Sequence, residues 1–222
     1  MSDAEVRASK LIGQWLEAGS VPQEAFDWSK SSANWIRDLP QMKKFIESLP
    51  KSLDRTFLRE TAQNQDFSPI EKFTATMIWG YGDVGYGSYR VKKMFNSLDF
   101  VRKIENSFLM CQSNEPLTAY SYLSKNRIEQ LGPAFGTKWI AFVTPPDTPA
   151  PIYDSLIGGW FSTFATKDFE GVSLNPEVWS LKTYSSYFLW MKTVADEHAI
   201  KCDDLEFVLF QEANKLFSKK AN

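Results

Sequence analysis

The chain has 222 residues, enough to bury a core without disulfides or a structural metal. With 43% hydrophobic and 23% charged residues it is not disordered, collagen-like or a coiled coil. Its net charge of −2 argues against gripping nucleic acid or an acidic membrane by bulk charge, while leaving room for a local basic face.

Helical periodicity dominates from the start. Ala8, Leu11, Ile12 and Trp15 share one face of a first helix that stops near Gly19 and Pro22. A second amphipathic stretch runs from Trp35 to Leu49 and ends at Pro50, and a third follows around Leu53–Ala62. Trp79–Tyr89 is glycine-rich and aromatic. Within it Gly80-x-Gly82-x-x-Gly85 matches the dinucleotide fingerprint, with Thr74–Trp79 as its strand, Tyr89–Phe95 as its helix and Asp99 near the ribose position. The chain offers no second βαβ unit, so a glycine-rich link between helices is the better reading.

Leu117–Lys125 reads as a helix begun by Pro116. Ile128–Leu131, a turn around Gly132 and a second helix through Phe142 then make a hairpin at about 117–143. An ordinary αα-hairpin satisfies the same spacing. A Pro-rich loop spans Thr144–Pro151, and Asp154 stands where the N-cap of a helix at about 154–164 falls. Tyr184, Tyr187, Phe188, Met191, Val194 and Ala195 form a helical stripe. The last helix opens with Asp203-Asp204-Leu205-Glu206, a capping-box pattern. No repeat or composition break divides the sequence. It is read as one mainly α domain, 1–222, with two helical lobes and a cleft between them.

Few chemistries are open to this composition. Cys111, Cys202 and the single His198 cannot supply a structural zinc or an iron–sulfur cluster, and no cofactor is expected. The thiols read as reduced and half-buried, and His198 as a solvated histidine at a helix end. Catalysis then falls to Lys, Asp, Glu, Tyr or Cys. The amino-terminal residues carry no basic or apolar signal region, and no apolar run approaches ~18 residues, so a cytoplasmic, monomeric chain without a membrane span is expected.

Gly136-Thr137-Lys138, followed by Pro151-Ile152-Tyr153-Asp154, resembles the helix-hairpin-helix base-excision glycosylases of the 8-oxoguanine type. Trp79–Arg90 and Tyr184–Phe210 are similar to the bacterial OGG-like branch, near which phage-defence glycosylases belong. In that superfamily a hairpin lysine precedes an aspartate by a little under twenty residues; here the interval is 16. Ala134-Phe135-Gly136 replaces the usual Gly-hydrophobic-Gly.

The resemblance implies a DNA glycosylase with AP lyase activity acting on double-stranded DNA. Lys138 would attack C1′ and form a Schiff base, and Asp154 would stabilise oxocarbenium character on the sugar. The attacking amine must first shed a proton, which burial against Phe135 and Trp139 favours and Asp154 opposes. Gly132, Phe135, Gly136 and Thr137 would meet DNA phosphate through the hairpin, aided by Arg90, Lys92, Lys93, Lys125 and Arg127. Arg102 and Lys103 extend that basic run. A flipped base needs a pocket, for which Trp79, Tyr81, Asp83, Tyr86, Tyr89, Trp190 and Phe210 are the candidates. The target is 8-oxoguanine by resemblance, with a hypermodified phage cytosine as alternative. A non-catalytic DNA-binding module and a nucleotide-dependent enzyme built on Gly80–Gly85 are the competing classes.

Overall fold

The fold is that of a computed structural model, which describes residues 1–148 and 150–217; Pro149 of the Pro-rich loop lies outside them. Among the described residues the architecture is helical throughout, apart from a two-residue antiparallel pairing. The helices are α1 (Asp3–Glu17), α2 (Ser32–Asp38), α3 (Lys43–Ser48), α4 (Arg55–Gln63), α5 (Pro69–Tyr81) and α6 (Gly87–Phe95). They continue with α7 (Phe100–Gln112), α8 (Pro116–Lys125), α9 (Pro133–Val143), α10 (Ser155–Phe164), α11 (Leu181–Glu197) and α12 (Cys202–Phe217). Strands β1 (Phe26–Asp27) and β2 (Ser52–Leu53) pair Phe26 with Leu53.

The helix starts are written locally. Ser2 and Ser68 each form a capping box with the glutamate three residues on, and Pro69 occupies the first turn of α5. Asp54 caps α4 and Ser180 caps α11 through their side-chain oxygens. Three sequence expectations are corrected, and the minor dinucleotide alternative is closed in favour of a glycine-rich link between helices. The stretch from Trp35 to Leu49 is two helices, because Pro40 cannot continue α2 and starts a short 3-10 turn instead. The fingerprint glycines lie at the end of α5 and in the loop after it, and Thr74–Trp79 is helix rather than strand. With no parallel sheet among the described residues, the dinucleotide reading has no scaffold. Ile128–Leu131 is a turn, and the second hairpin helix already begins at Pro133. Helix α12 starts at Cys202, and the side chains of Asp203 and Glu206 are spent on other partners, described below.

Two helices define the interior. The middle of α5 is buried on every side from Lys72 to Ile78, and α9 is buried from Trp139 to Val143. A helix apolar all round belongs at the centre of a core, and these two pack against each other. Phe73 meets Trp139 edge-on at 5.4 Å between centroids, and Trp79 meets Phe142 at 5.0 Å. The expected aromatic core is thus present, with Trp35, Trp139 and Trp160 all fully buried. Both thiols are more buried than their sequence context suggested. Cys111 and Cys202 are pushed up to about 12 by burial, so neither supplies a thiolate nucleophile near neutral pH.

Gly136 shows how tightly α9 is covered. A β-carbon there would lie 2.4 Å from Cη2 of Trp179, which comes from the segment before α11. Gly136→Ala should therefore destabilise the chain by about 1–3 kcal/mol through overpacking. Urea unfolding measures this; an unchanged midpoint would show that Trp179 yields freely.

Candidate active site

Lys138 and Asp154 arrive from separate elements. Lys138 sits on α9, a little over one turn past Pro133, and its stem lies against Gly80 of α5. A β-carbon at position 80 would stand 3.2 Å from Cδ of Lys138 and 3.0 Å from Cε1 of Phe135, so a glycine is what lets the helices close here. Asp154 caps α10. Its Oδ1 accepts from the amides of Leu156 and Ile157, leaving Oδ2 to accept from Nζ of Lys138 at 3.0 Å.

The segment before Asp154 is held group by group. Tyr184 donates its hydroxyl to the Pro151 carbonyl at 3.1 Å, and Tyr187 to that of Ile152 at 2.7 Å. Glu206 accepts from the Ile152 amide at 2.8 Å. Thr137, the neighbour of Lys138, accepts from the amide of Tyr153, the neighbour of Asp154, at 3.1 Å. Lysine and aspartate are thus coupled twice, through their own side chains and through the residues preceding them.

Both partners are largely enclosed, at 12% and 16% side-chain exposure. Burial alone would raise the pKa of Asp154. The charge and hydrogen bond of Lys138, with the two α10 amides, outweigh burial and hold this carboxyl below its ordinary 3.8. The helix N-terminus favours the same anionic form.

The pair forms part of the lining of a cleft of about 250 Å³. Trp79, Tyr81 and Phe210, three of the expected pocket residues, line it too. Asp83, Tyr86 and Tyr89 do not: they face solvent on the α5–α6 loop and on α6. There Arg90 lies 5.0 Å from the Tyr86 ring and Lys93 5.0 Å from that of Tyr89. Trp190 is in the core against Trp160 and Phe161, because the stripe of α11 packs inward.

The hairpin residues divide in the same way. Gly132 is the partly exposed N-cap of α9, and Phe135 stacks on Tyr81 at 4.0 Å beside Lys138. Gly136 and Thr137 face the interior instead of solvent. Arg90, Lys92, Lys125 and Arg127 are exposed and Lys93 partly so. Lys103 donates to the Arg127 carbonyl at 2.9 Å, and Ser97 accepts from the Glu129 amide at 3.0 Å. These contacts set the basic run of 90–103 beside the hairpin turn. Arg127 also lies 5.1 Å from the Trp179 ring, where burial lowers its pKa.

The sequence reading missed Gln23, Phe26, Arg55 and Glu206, which also line the cleft. Arg55 donates to Glu206 at 2.6 Å, and Arg59, one turn along α4, pairs with Asp203. The signal was present: arginines spaced i, i+4 facing acids spaced i, i+3 can join two helices side by side. The acids were assigned to a cap instead. Glu206 is so enclosed that burial raises its pKa despite Arg55. Among the described residues no group of three or more His, Cys, Asp or Glu is placed to hold a metal ion, and no helix is long and apolar enough to cross a membrane.

Lys138 and Asp154 thus meet on a helical scaffold in an aromatic-lined cleft. Residues 19–210 match the family model described as "Putative 8-oxoguanine DNA glycosylase OGG-like protein", and the chain belongs to that family. No curated protein and no solved structure matches it.

Two tests follow from the geometry. Thr137→Val strands the buried Tyr153 amide and should cost about 1–3 kcal/mol in chemical denaturation; no loss would mean that the amide finds another acceptor. Asp154 has a lowered pKa, so its contribution to stability is complete above 3.8 and disappears as pH falls through the folded-state value. The stability gap between wild type and Asp154→Asn should accordingly be widest near neutrality and shrink below pH 3.8. A gap that stays constant into acid would contradict it.

Proposed function

We propose that this chain is a DNA glycosylase with AP lyase activity that acts on an extruded base through Lys138 and Asp154. The observation carrying this reading is the 3.0 Å contact between Nζ and Oδ2 in the lining of an aromatic cleft. Two helical lobes in one domain, with DNA held across the cleft, complete it. The exposed cations of 90–103 and the hairpin turn supply a phosphate-facing surface, and phosphate contacts position DNA without reading its sequence.

The chemistry uses the two side chains in turn. Lys138 gives up a proton, for which Asp154 is the adjacent base, and its amine attacks C1′. The glycosidic bond breaks, its electron pair leaving with the base nitrogen, which takes up the proton that Asp154 accepted from Lys138 and so restores the carboxylate. As the sugar gains oxocarbenium character, the Asp154 carboxylate stabilises it. Opening of the sugar ring gives a Schiff base on Lys138, and loss of a C2′ proton then expels the 3′ phosphate. Because Oδ1 is held by the α10 amides, Asp154 keeps its place when Lys138 moves onto the sugar.

Borohydride added to wild-type protein and duplex carrying 8-oxoguanine or a hypermodified cytosine should trap a covalent adduct. Lys138→Gln should form none, and Asp154→Asn should excise about 10²–10³-fold more slowly with duplex affinity retained. An adduct that persists in Lys138→Gln would remove the lysine mechanism. Binding without release of any base would favour the non-catalytic module. Which of the two duplexes is cut separates repair from antiviral defence.

A further inference from the structure

The cleft beside Lys138 holds a polar group whose orientation is forced. Gln23 lies between α1 and β1, and its Oε1 accepts from Nε of Arg55 at 2.7 Å. An arginine Nε can only donate, so the amide must turn its oxygen toward Arg55 and its NH₂ away. Arg55 is itself immobilised by Glu206, which it meets at 2.6 Å. Glu206 in turn is taken up by Arg55 and the Ile152 amide. Among the described residues the Gln23 NH₂ makes no hydrogen bond, although Gln23 lines the cleft with Phe26, Trp79 and Phe210.

We infer that Gln23 is a specificity-determining residue that donates to a ring carbonyl oxygen of the extruded base, and that Arg55 is the positioning residue that fixes it as a donor. This rests on the glycosylase reading and extends it to the substrate's hydrogen-bonding edge. At about 250 Å³ the cleft is smaller than a drug-sized pocket and suits a single heterocycle. The aromatic side chains offer ring faces that stack on any base, so discrimination falls to the polar group. A locked donor suits an acceptor and leaves a donor opposite it unpaired.

Gln23→Glu and Gln23→Met separate reading from scaffolding. Glutamate keeps an oxygen for Arg55 and adds a charge that strengthens that contact, but it replaces the amide donor with an acceptor. Methionine removes both functions without repulsion. Excision is measured as kcat/KM on duplexes carrying 8-oxoguanine or 5-hydroxymethylcytosine, both of which bear a ring carbonyl. Borohydride trapping on a duplex with a preformed abasic site serves as a readout in which no base is present.

The expected order on the excised base is wild type, then Gln23→Met about 3–10-fold lower, then Gln23→Glu about 30-fold lower or more. Trapping at the abasic site, where no base is read, should fall far less than excision does in either variant. A purely structural role predicts the reverse order, with Gln23→Glu nearest wild type, and that result would overturn the assignment. So would failure of the wild-type chain to excise either base while still trapping the abasic site. Absence of any trapped adduct would overturn the glycosylase reading itself, and this assignment with it.

Discussion

Placing Asp154 against Lys138 is the constraint on which the rest of the site depends. A carboxylate and an ammonium 3.0 Å apart and mostly out of water must meet in good geometry, because their desolvation is repaid only then. The chain achieves this by holding the backbone ahead of Asp154 with side chains from three helices. Thr137 comes from α9, Tyr184 and Tyr187 from α11, and Glu206 from α12. Every one of them is buried, so the aspartate is positioned by the core itself.

The same logic explains why α12 carries its acids early. Glu206 serves two clients, the Ile152 amide on the path to Asp154 and the Arg55 guanidinium on the cleft wall. Arg55 lies 5.5 Å from the Trp79 ring, which stands against Phe142 of α9. One enclosed carboxylate thereby links the Lys138–Asp154 pair, the polar side of the cleft and an aromatic wall. Such a network holds its geometry only while every member is satisfied, since an unpaired charge at this depth is costly.

Charge is divided by position. The near-neutral total conceals exposed cations on α6 and at the hairpin turn, brought together by the Lys103 and Ser97 contacts. The cleft interior pairs its charges internally. The rim therefore carries cations open to solvent, while those of the cleft are paired within it.

Local chemistry was legible in the sequence. The stripes of α1 and α11 and the N-cap role of Asp154 follow from spacing and residue type, because caps and amphipathic faces are properties of a few neighbouring residues; the joint candidacy of Lys138 and Asp154 came from the family resemblance. Pro40 splitting a helix was legible too, and was passed over in favour of the longer hydrophobic pattern. Tertiary packing alone decided which aromatics meet the cleft. Trp79 and Trp190 look alike in sequence, yet one lines the site and the other fills the core, since each helix turns toward whatever neighbour the fold gives it. The spacing of Arg55 with Arg59 and of Asp203 with Glu206 hinted at a charged seam, but which residues meet, and that Gln23 joins them, was decided by the fold, because hydrogen bonds between residues 32 and 151 positions apart exist only once the chain has closed on itself.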